Sequence, residues 1–234
     1  MRPEETIRVA RGATLLGAGP EAAETAGALD EALARAAALI CADGGANALP
    51  AGLTPDAIIG DLDSLEDVAG WRRRLGARLI HVPEQETTDL EKCLLRVEAA
   101  FFLCVGFLGG RVDHQLAALH ALITDPRPIL MIGAEDVIFS AGVSLSLDLE
   151  PGDRISIFPM RTVASLSGRG LRWPVDGLRF EAGARVGTSN EATGPVTLDF
   201  DRAGAVVILP RARLDAALQG LLKQAEPRGD PDRG

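Results

Sequence analysis

The chain has 234 residues, 47% of them hydrophobic and 24% charged, with a formal net charge of -9. That size and mixture suit one large or two smaller globular domains, and the acidic balance argues against nucleic-acid or anionic-membrane partners, whose phosphates attract Lys and Arg. Cys41, Cys93 and Cys104 lack CxxC or metal-ligand spacing and fit a reducing cytoplasm, while the longest apolar run, Ala99 to Leu108, is too short for a bilayer span of roughly 20 residues.

In chain order, Thr14–Leu16 reads as a strand, and Pro20 suits the first turn of a helix reaching about Ala37, with Leu29 and Leu33 on one face. Strands are predicted at Leu39–Ala42, Ala57–Ile59 and Leu79–Val82. A helix follows from Thr88 to about Ala100, opened by a Thr88/Glu91 capping box and striped by Leu90, Cys93, Leu94 and Val97. A strand at Phe102–Phe107, a helix at Asp113–Ile123 and a strand at Ile129–Ile132 complete the series. Strand–helix alternation of this kind predicts a Rossmann-like α/β domain over 1–142, with a mainly parallel sheet and ligands at the strands' carboxyl ends. From Val143 the period changes to two, at Val143–Leu149, Ile155–Phe158 and Val196–Phe200. With the buried run Ala205–Leu209 this predicts an all-β sandwich over 143–225, with a short helix at Leu214–Leu222. The charged, Pro/Gly-rich residues 226–234 are expected to be disordered.

Five short segments carry the chemistry: Asp43-Gly44-Gly45-Ala46-Asn47, Gly60-Asp61-Leu62-Asp63-Ser64, Thr87-Thr88-Asp89, Gly109-Gly110-Arg111-Val112-Asp113-His114 and Thr188-Ser189-Asn190. The first four follow predicted strands or open helices. Asp61 and Asp63 are close enough to repel unless a cation lies between them, and Mg²⁺ suits such oxygen ligands because it keeps waters that phosphate can replace. Gly44 and Gly45 allow backbone amides to approach a ligand, although for this segment alone an ordinary strand-to-helix turn is the better explanation. Asp89 at a helix start serves either as a cap or as an acidic ligand, and Lys92 one turn on can reach a phosphate or pair with a carboxylate. Arg111 suits bidentate phosphate binding, with Asp113 as its partner or a metal ligand and His114 as a base or a bystander at the helix start. Gly17-Ala18-Gly19 falls short of a dinucleotide fingerprint, and the chain has no GxxxxGK[ST] loop.

In shared order and spacing these segments resemble the thiamin pyrophosphokinase family. The likeness also takes in Gly52-Leu53-Thr54-Pro55-Asp56 and Gly170-Leu171-Arg172-Trp173, and so runs over nearly the whole chain. The resemblance implies transfer of pyrophosphate from ATP to the hydroxyethyl oxygen of thiamin, releasing AMP. It implies Mg²⁺ and the triphosphate at Asp43, Asp61, Asp63 and Asp89, and phosphate contacts from Gly44, Gly45, Ser64, Lys92, Gly110, Arg111, Asp113 and His114. Gln85 would face the thiamin pyrimidine, and Trp173, Ser189 and Asn190 would meet thiamin from the partner subunit of a homodimer with composite sites. Leu62 stands where the family often carries Phe, and Glu86 replaces a frequent Asp. The competing readings are another Mg²⁺-dependent nucleotide phosphotransferase or phosphohydrolase, and a non-catalytic thiamin or nucleotide sensor.

Overall fold

A computed structural model of the chain describes residues 6–19 and 22–225. Pro20 and the 226–234 tail lie outside the described residues. The chain forms two compact units.

The first unit takes in residues up to Asp125 together with Ile129–Glu135. Its elements are β1 (Ile7–Arg8), β2 (Ala13–Leu16), α1 (Ala22–Leu33), β3 (Ala38–Ala42), β4 (Ala57–Gly60), α2 (Val68–Leu75), β5 (Leu79–His81), α3 (Asp89–Arg96), β6 (Val97–Glu98), β7 (Phe102–Val105), α4 (Val112–Thr124) and β8 (Ile129–Ile132). Six of the strands form a parallel run in the order β8-β7-β2-β3-β4-β5. β2, β3, β4, β7 and β8 are apolar and buried almost throughout, as strands covered on both faces must be. β2 is central, bonded to β3 on one side and β7 on the other. Because all six run the same way, the loops that leave β3, β4 and β7 open on the same edge of the sheet.

Two helices are shorter than their patterns suggest. α1 stops at Leu33, and the chain turns so that Ala37 N–H reaches Gly12 O, 2.8 Å away, on its way into β3. α3 stops at Arg96 because Val97 and Glu98 pair in parallel with Ile7 and Arg8, and Val97 is buried by that pairing. The Thr88/Glu91 capping box forms as expected. Trp71 on α2 is 7% exposed and carries the Arg74 guanidinium 3.7 Å from its ring centre, a structural role.

The second unit takes up the chain at Asp136, ahead of the period change at Val143, and includes Pro126–Pro128. Its elements are β9 (Asp136–Ser140), β10 (Ser144–Leu147), β11 (Arg154–Pro159), β12 (Val163–Leu171), β13 (Arg179–Phe180), β14 (Gly187–Phe200), β15 (Ala205–Pro210) and α5 (Leu214–Ala225). β9 belongs here because it pairs antiparallel with β15 along its whole length. Strand β14 serves two sheets. Its first residues pair with β11, which continues to β15 and β9, and its later residues pair with β10 and β12, which continues to β13. Leu145, Leu147, Ile155, Ile157, Phe180, Val196, Leu198 and Phe200 fill the interior, and α5 buries Leu214, Ala217, Leu218 and Leu221. The pairing is antiparallel throughout, as the period of two predicts.

Candidate active site

The acidic residues are assembled by the loops leaving β3 and β4. Asp43 ends the run of β3, takes a left-handed backbone (φ 42°) and opens a 3-10 turn over Asp43–Ala48. A Cβ on Gly45 would lie 2.2 Å from Leu16 O, so the glycine lets this turn settle on the end of β2. Gly44 and Gly45 are buried within the turn, which gives both a packing reason. Gly60 does the same for β4, because a Cβ there would lie 2.6 Å from Asp43 Cβ. The chain then passes through Asp61 and Leu62, the latter also left-handed (φ 65°), to Asp63 and Ser64. Left-handed backbone at non-glycine residues costs of order 1 kcal/mol each and collects where a site dictates geometry.

Asp43, Asp61 and Asp63 each offer a carboxylate oxygen within 4.8 Å of the others. Each also commits an oxygen to the protein. Asp43 Oδ2 accepts from Ser64 N–H (3.1 Å), Asp63 Oδ1 accepts from Ser64 Oγ (2.9 Å), and Asp61 Oδ2 accepts from Gln85 Nε2 (2.7 Å) and Lys92 Nζ (3.0 Å). Among the described residues, Asp61 Oδ1 has only a long bond from Asp63 N–H, 3.4 Å. Asp43 is 1% exposed, yet its Oδ1 has no hydrogen-bond partner among the described residues. A buried, unpartnered oxygen on one of three clustered carboxylates fits a divalent cation held by oxygen ligands.

Lys92 supplies a second, built-in positive charge, between Asp61 and Asp89 rather than between Asp61 and Asp63. Its side chain is 2% exposed, and it lies 3.0 Å from Asp61 and 3.5 Å from Asp89. Burial pushes the ammonium pKa down, but the bonds and charges of Asp61 and Asp89 outweigh it and raise it, so Lys92 is a fixed cation. Burial also pushes the Asp61 carboxyl up, but the bonds from Gln85 and Lys92 win and hold it at about 2. Asp89 goes the other way: burial raises its pKa against the pull of Lys92, helped by the Asp43 and Asp61 charges. Asp89 sits beside Lys92, outside the trio of clustered oxygens. Gln85, expected toward thiamin, here has its amide on Asp61.

Glu84, which lies outside the five motif segments, and Asn47, which closes the first of them, also shape this region. Glu84 accepts from the N–H groups of Glu86 (2.8 Å) and Thr87 (3.0 Å) and from the Thr87 hydroxyl, fixing the turn before α3. The bond from Thr87 holds the Glu84 carboxyl below its usual range. The signal was an acid three residues before a threonine. Asn47 also ties two loops together, as described below. Glu86 contributes its N–H to the turn.

The Gly109–His114 segment forms a separate feature at the start of α4. Gly109 and Gly110 are left-handed (φ 82° and 66°), which brings Arg111 into a two-bond pair with Asp113 at 2.7 and 3.2 Å. The pair is exposed, and the bonds from Arg111 hold the Asp113 carboxyl at about 2. Among the described residues, neither member bonds to the acidic trio, and His114 is exposed beside them.

In the second unit, Trp173, Ser189 and Asn190 come together around a pocket of about 340 Å³, with Val175, Phe180 and Arg185 among its lining. Asn190 is 8% exposed, and its amide serves the backbone: Oδ1 accepts from Trp173 N–H (3.2 Å) and Glu191 N–H (2.8 Å), and Nδ2 donates to Trp173 O (2.8 Å). Ser189 is left-handed (φ 60°), and its N–H is held by Ser156 Oγ at 2.9 Å. Trp173 is 52% exposed, with the Arg172 guanidinium 5.0 Å from its ring centre. Asn190→Ala removes three bonds from one buried amide, and its expected cost is about 2 kcal/mol, read as a lower urea midpoint. An unchanged midpoint would remove the pinning role.

Comparison with known proteins bears on both units. Residues 29–131 match the profile described as "Thiamin pyrophosphokinase, catalytic domain", and residues 143–203 match "Thiamin pyrophosphokinase, vitamin B1 binding domain". A thiamine pyrophosphokinase 1 of Oryza sativa subsp. japonica is 30% identical over 205 residues, covering 71% of this chain and 77% of the relative. One from Arabidopsis thaliana is 28% identical over 186 residues, covering 64% of this chain and 69% of the relative. Among solved structures, yeast thiamin pyrophosphokinase superimposes with a TM-score of 0.73 at 18% identity, over 94% of this chain and 93% of that one. The Candida albicans protein gives a TM-score of 0.72 at 15% identity, over 90% and 94%. The structural likenesses speak for the fold, while the profile matches on both units and the 30% identical plant relative carry the assignment: the chain belongs to the thiamin pyrophosphokinase family.

Proposed function

We propose that this enzyme transfers pyrophosphate from ATP to the hydroxyethyl oxygen of thiamin, giving thiamin diphosphate and AMP, with ATP and Mg²⁺ held by the acidic trio. The observation that carries the metal site is the orphaned Asp43 Oδ1, buried among carboxylates whose other oxygens are engaged. When bound at Asp43, Asp61 and Asp63, Mg²⁺ neutralises charge on the phosphates that react. The chain's own groups do the rest. Lys92 keeps Asp61 ionised and oriented. Asp89, half-buried beside it, adds an acidic oxygen to the region. Arg111 stands exposed on a glycine turn, where its guanidinium can exchange Asp113 for a phosphate through two nitrogens. Gly110 and His114 flank that turn.

We read the first unit as Rossmann-like, since its parallel strands bring the acidic loops to one edge. The β pocket suits thiamin: Trp173 offers an exposed ring face to a thiazolium cation, in place of Arg172. A homodimer belongs to the same reading, supported by exposed Leu95 on α3 and by Val112 and Leu116, one turn apart on the neighbouring α4. A cytoplasmic location is supported by three buried cysteines that form no disulfide. No helix among the described residues is long and apolar enough to cross a membrane.

Incubation with ATP, Mg²⁺ and thiamin, resolved by chromatography, should yield thiamin diphosphate and AMP in equal amounts. ADP with thiamin monophosphate would mean transfer of the terminal phosphoryl group alone, and the reading would fall. Trp173→Ala should raise the KM for thiamin about tenfold, within the roughly 0.5–2 kcal/mol range of a cation–aromatic contact, and leave the KM for ATP unchanged. Equal rises in both would send Trp173 back to a packing role.

A further inference from the structure

We infer that Asn47 is a positioning residue that sets the spacing between Asp43 and the Asp61–Asp63 loop, and so tunes the cation site without touching it. The inference rests on the metal reading above. Asn47 lies in the 3-10 turn that Asp43 opens. Its Nδ2 donates to Ser64 O at 2.8 Å, and its Oδ1 accepts from Glu66 N–H at 3.0 Å. Between these bonds, Ser64 N–H reaches Asp43 Oδ2 at 3.1 Å. Ser64 is thus gripped on both sides by one turn: its N–H by Asp43 and its carbonyl by Asn47. Asp63 is the next residue back, so the backbone that carries its carboxylate is held in place relative to Asp43 by this grip.

Asn47 is exposed and bonds to none of the carboxylates of the trio. Two solvent-accessible hydrogen bonds add little to folding, because water replaces them at small cost. Metal affinity responds differently. Ligands must keep their positions to a fraction of an ångström, and loss of a group that orients them typically weakens binding by about 10–100-fold. Asn47 therefore separates stability from ligand geometry. It also explains why an asparagine, with a donor and an acceptor on one planar group, closes the Asp43–Asn47 segment.

The test titrates Mn²⁺ alone into the full chain, without ATP or thiamin, and follows free Mn²⁺ by electron paramagnetic resonance. Asn47→Ala should weaken the Mn²⁺ Kd by about 10–100-fold, while the metal-free unfolding midpoint stays at the wild-type value. A Kd within about twofold of wild type (a change of about 0.4 kcal/mol), or a metal-free midpoint that falls along with affinity, would overturn the positioning role. If the Ala variant does not fold, Asn47→Gln carries the same two readouts, because its amide sits one methylene too far out. Wild-type chain that takes up no Mn²⁺, or takes it up equally well as Asp63→Asn, overturns the metal reading itself and the inference with it.

Discussion

Asp63→Asn is expected to lower turnover by about two orders of magnitude, the scale for losing one group that stabilises transition-state charge, while leaving the fold intact. Asp63 is the cleanest member of the trio to change. It is exposed, and its one side-chain bond is to the neighbouring Ser64 hydroxyl, so no buried partner is stranded. Asp61→Asn removes a ligand too, but it also takes a carboxylate from the buried Lys92 ammonium 3.0 Å away and should cost stability as well. Repulsion between Asp61 and Asp63, taken alone, would have made the Asp61 change neutral or stabilising. Steady-state rates at saturating ATP and thiamin, with urea midpoints for both variants, check this. Near-normal turnover in Asp63→Asn would make the loop an ordinary solvated turn and remove Asp63 from the metal site.

Lys92→Met is expected to destabilise the metal-free protein by about 3 kcal/mol. That is the low end for breaking a buried ion pair, because the Asp89 side chain is 45% exposed even though Lys92 is 2% exposed. The loss should depend on pH in a definite direction. The folded Asp61 carboxyl sits at about 2, below its unfolded value, so its stabilising contribution is complete near neutral pH and is lost as pH falls from about 4 toward 2. The wild type should therefore lose stability in that window faster than the variant, and the gap between them should narrow in acid. Screening by solvent at the loop keeps this term to about 1 kcal/mol. Mg²⁺ should narrow the gap at neutral pH, since a divalent cation takes over the balancing of the carboxylates. A gap that neither acid nor Mg²⁺ narrows would mean that Lys92 matters through its packed stem alone.

Much of this was legible because the chemistry sits where periodicity breaks. Asp43 and Asp61 follow apolar runs that could only be buried strands, and the Thr88/Glu91 box marks the start of α3 as clearly as any structure does. Other parts depend on partners far along the chain. β1 and β6 are two residues each and exist because they find one another, which no local pattern reports. β12 is rich in Gly and Ser and takes its order from the long strand β14. α2 presents three arginines in a row and shows its buried side only through Trp71 and Leu75. Lys92 looks like a surface residue of a capped helix until Asp61 arrives from β4 to bury it. Asn190 reads as a ligand by its motif, but its amide is engaged with the Trp173 backbone, a contact set by the register of two strands.

The central place of β2 has a consequence for synthesis. Ala13–Leu16 leaves the ribosome well before Phe102–Val105, and β3 soon covers one of its edges, but the other edge waits for β7. At roughly 5–20 residues per second, that edge stays open for several seconds, presenting Leu15 and Leu16 and unpaired backbone groups to any neighbouring nascent chain. The interval is when a newly made copy is most vulnerable to aggregation, and it closes only when β7 completes the middle of the sheet.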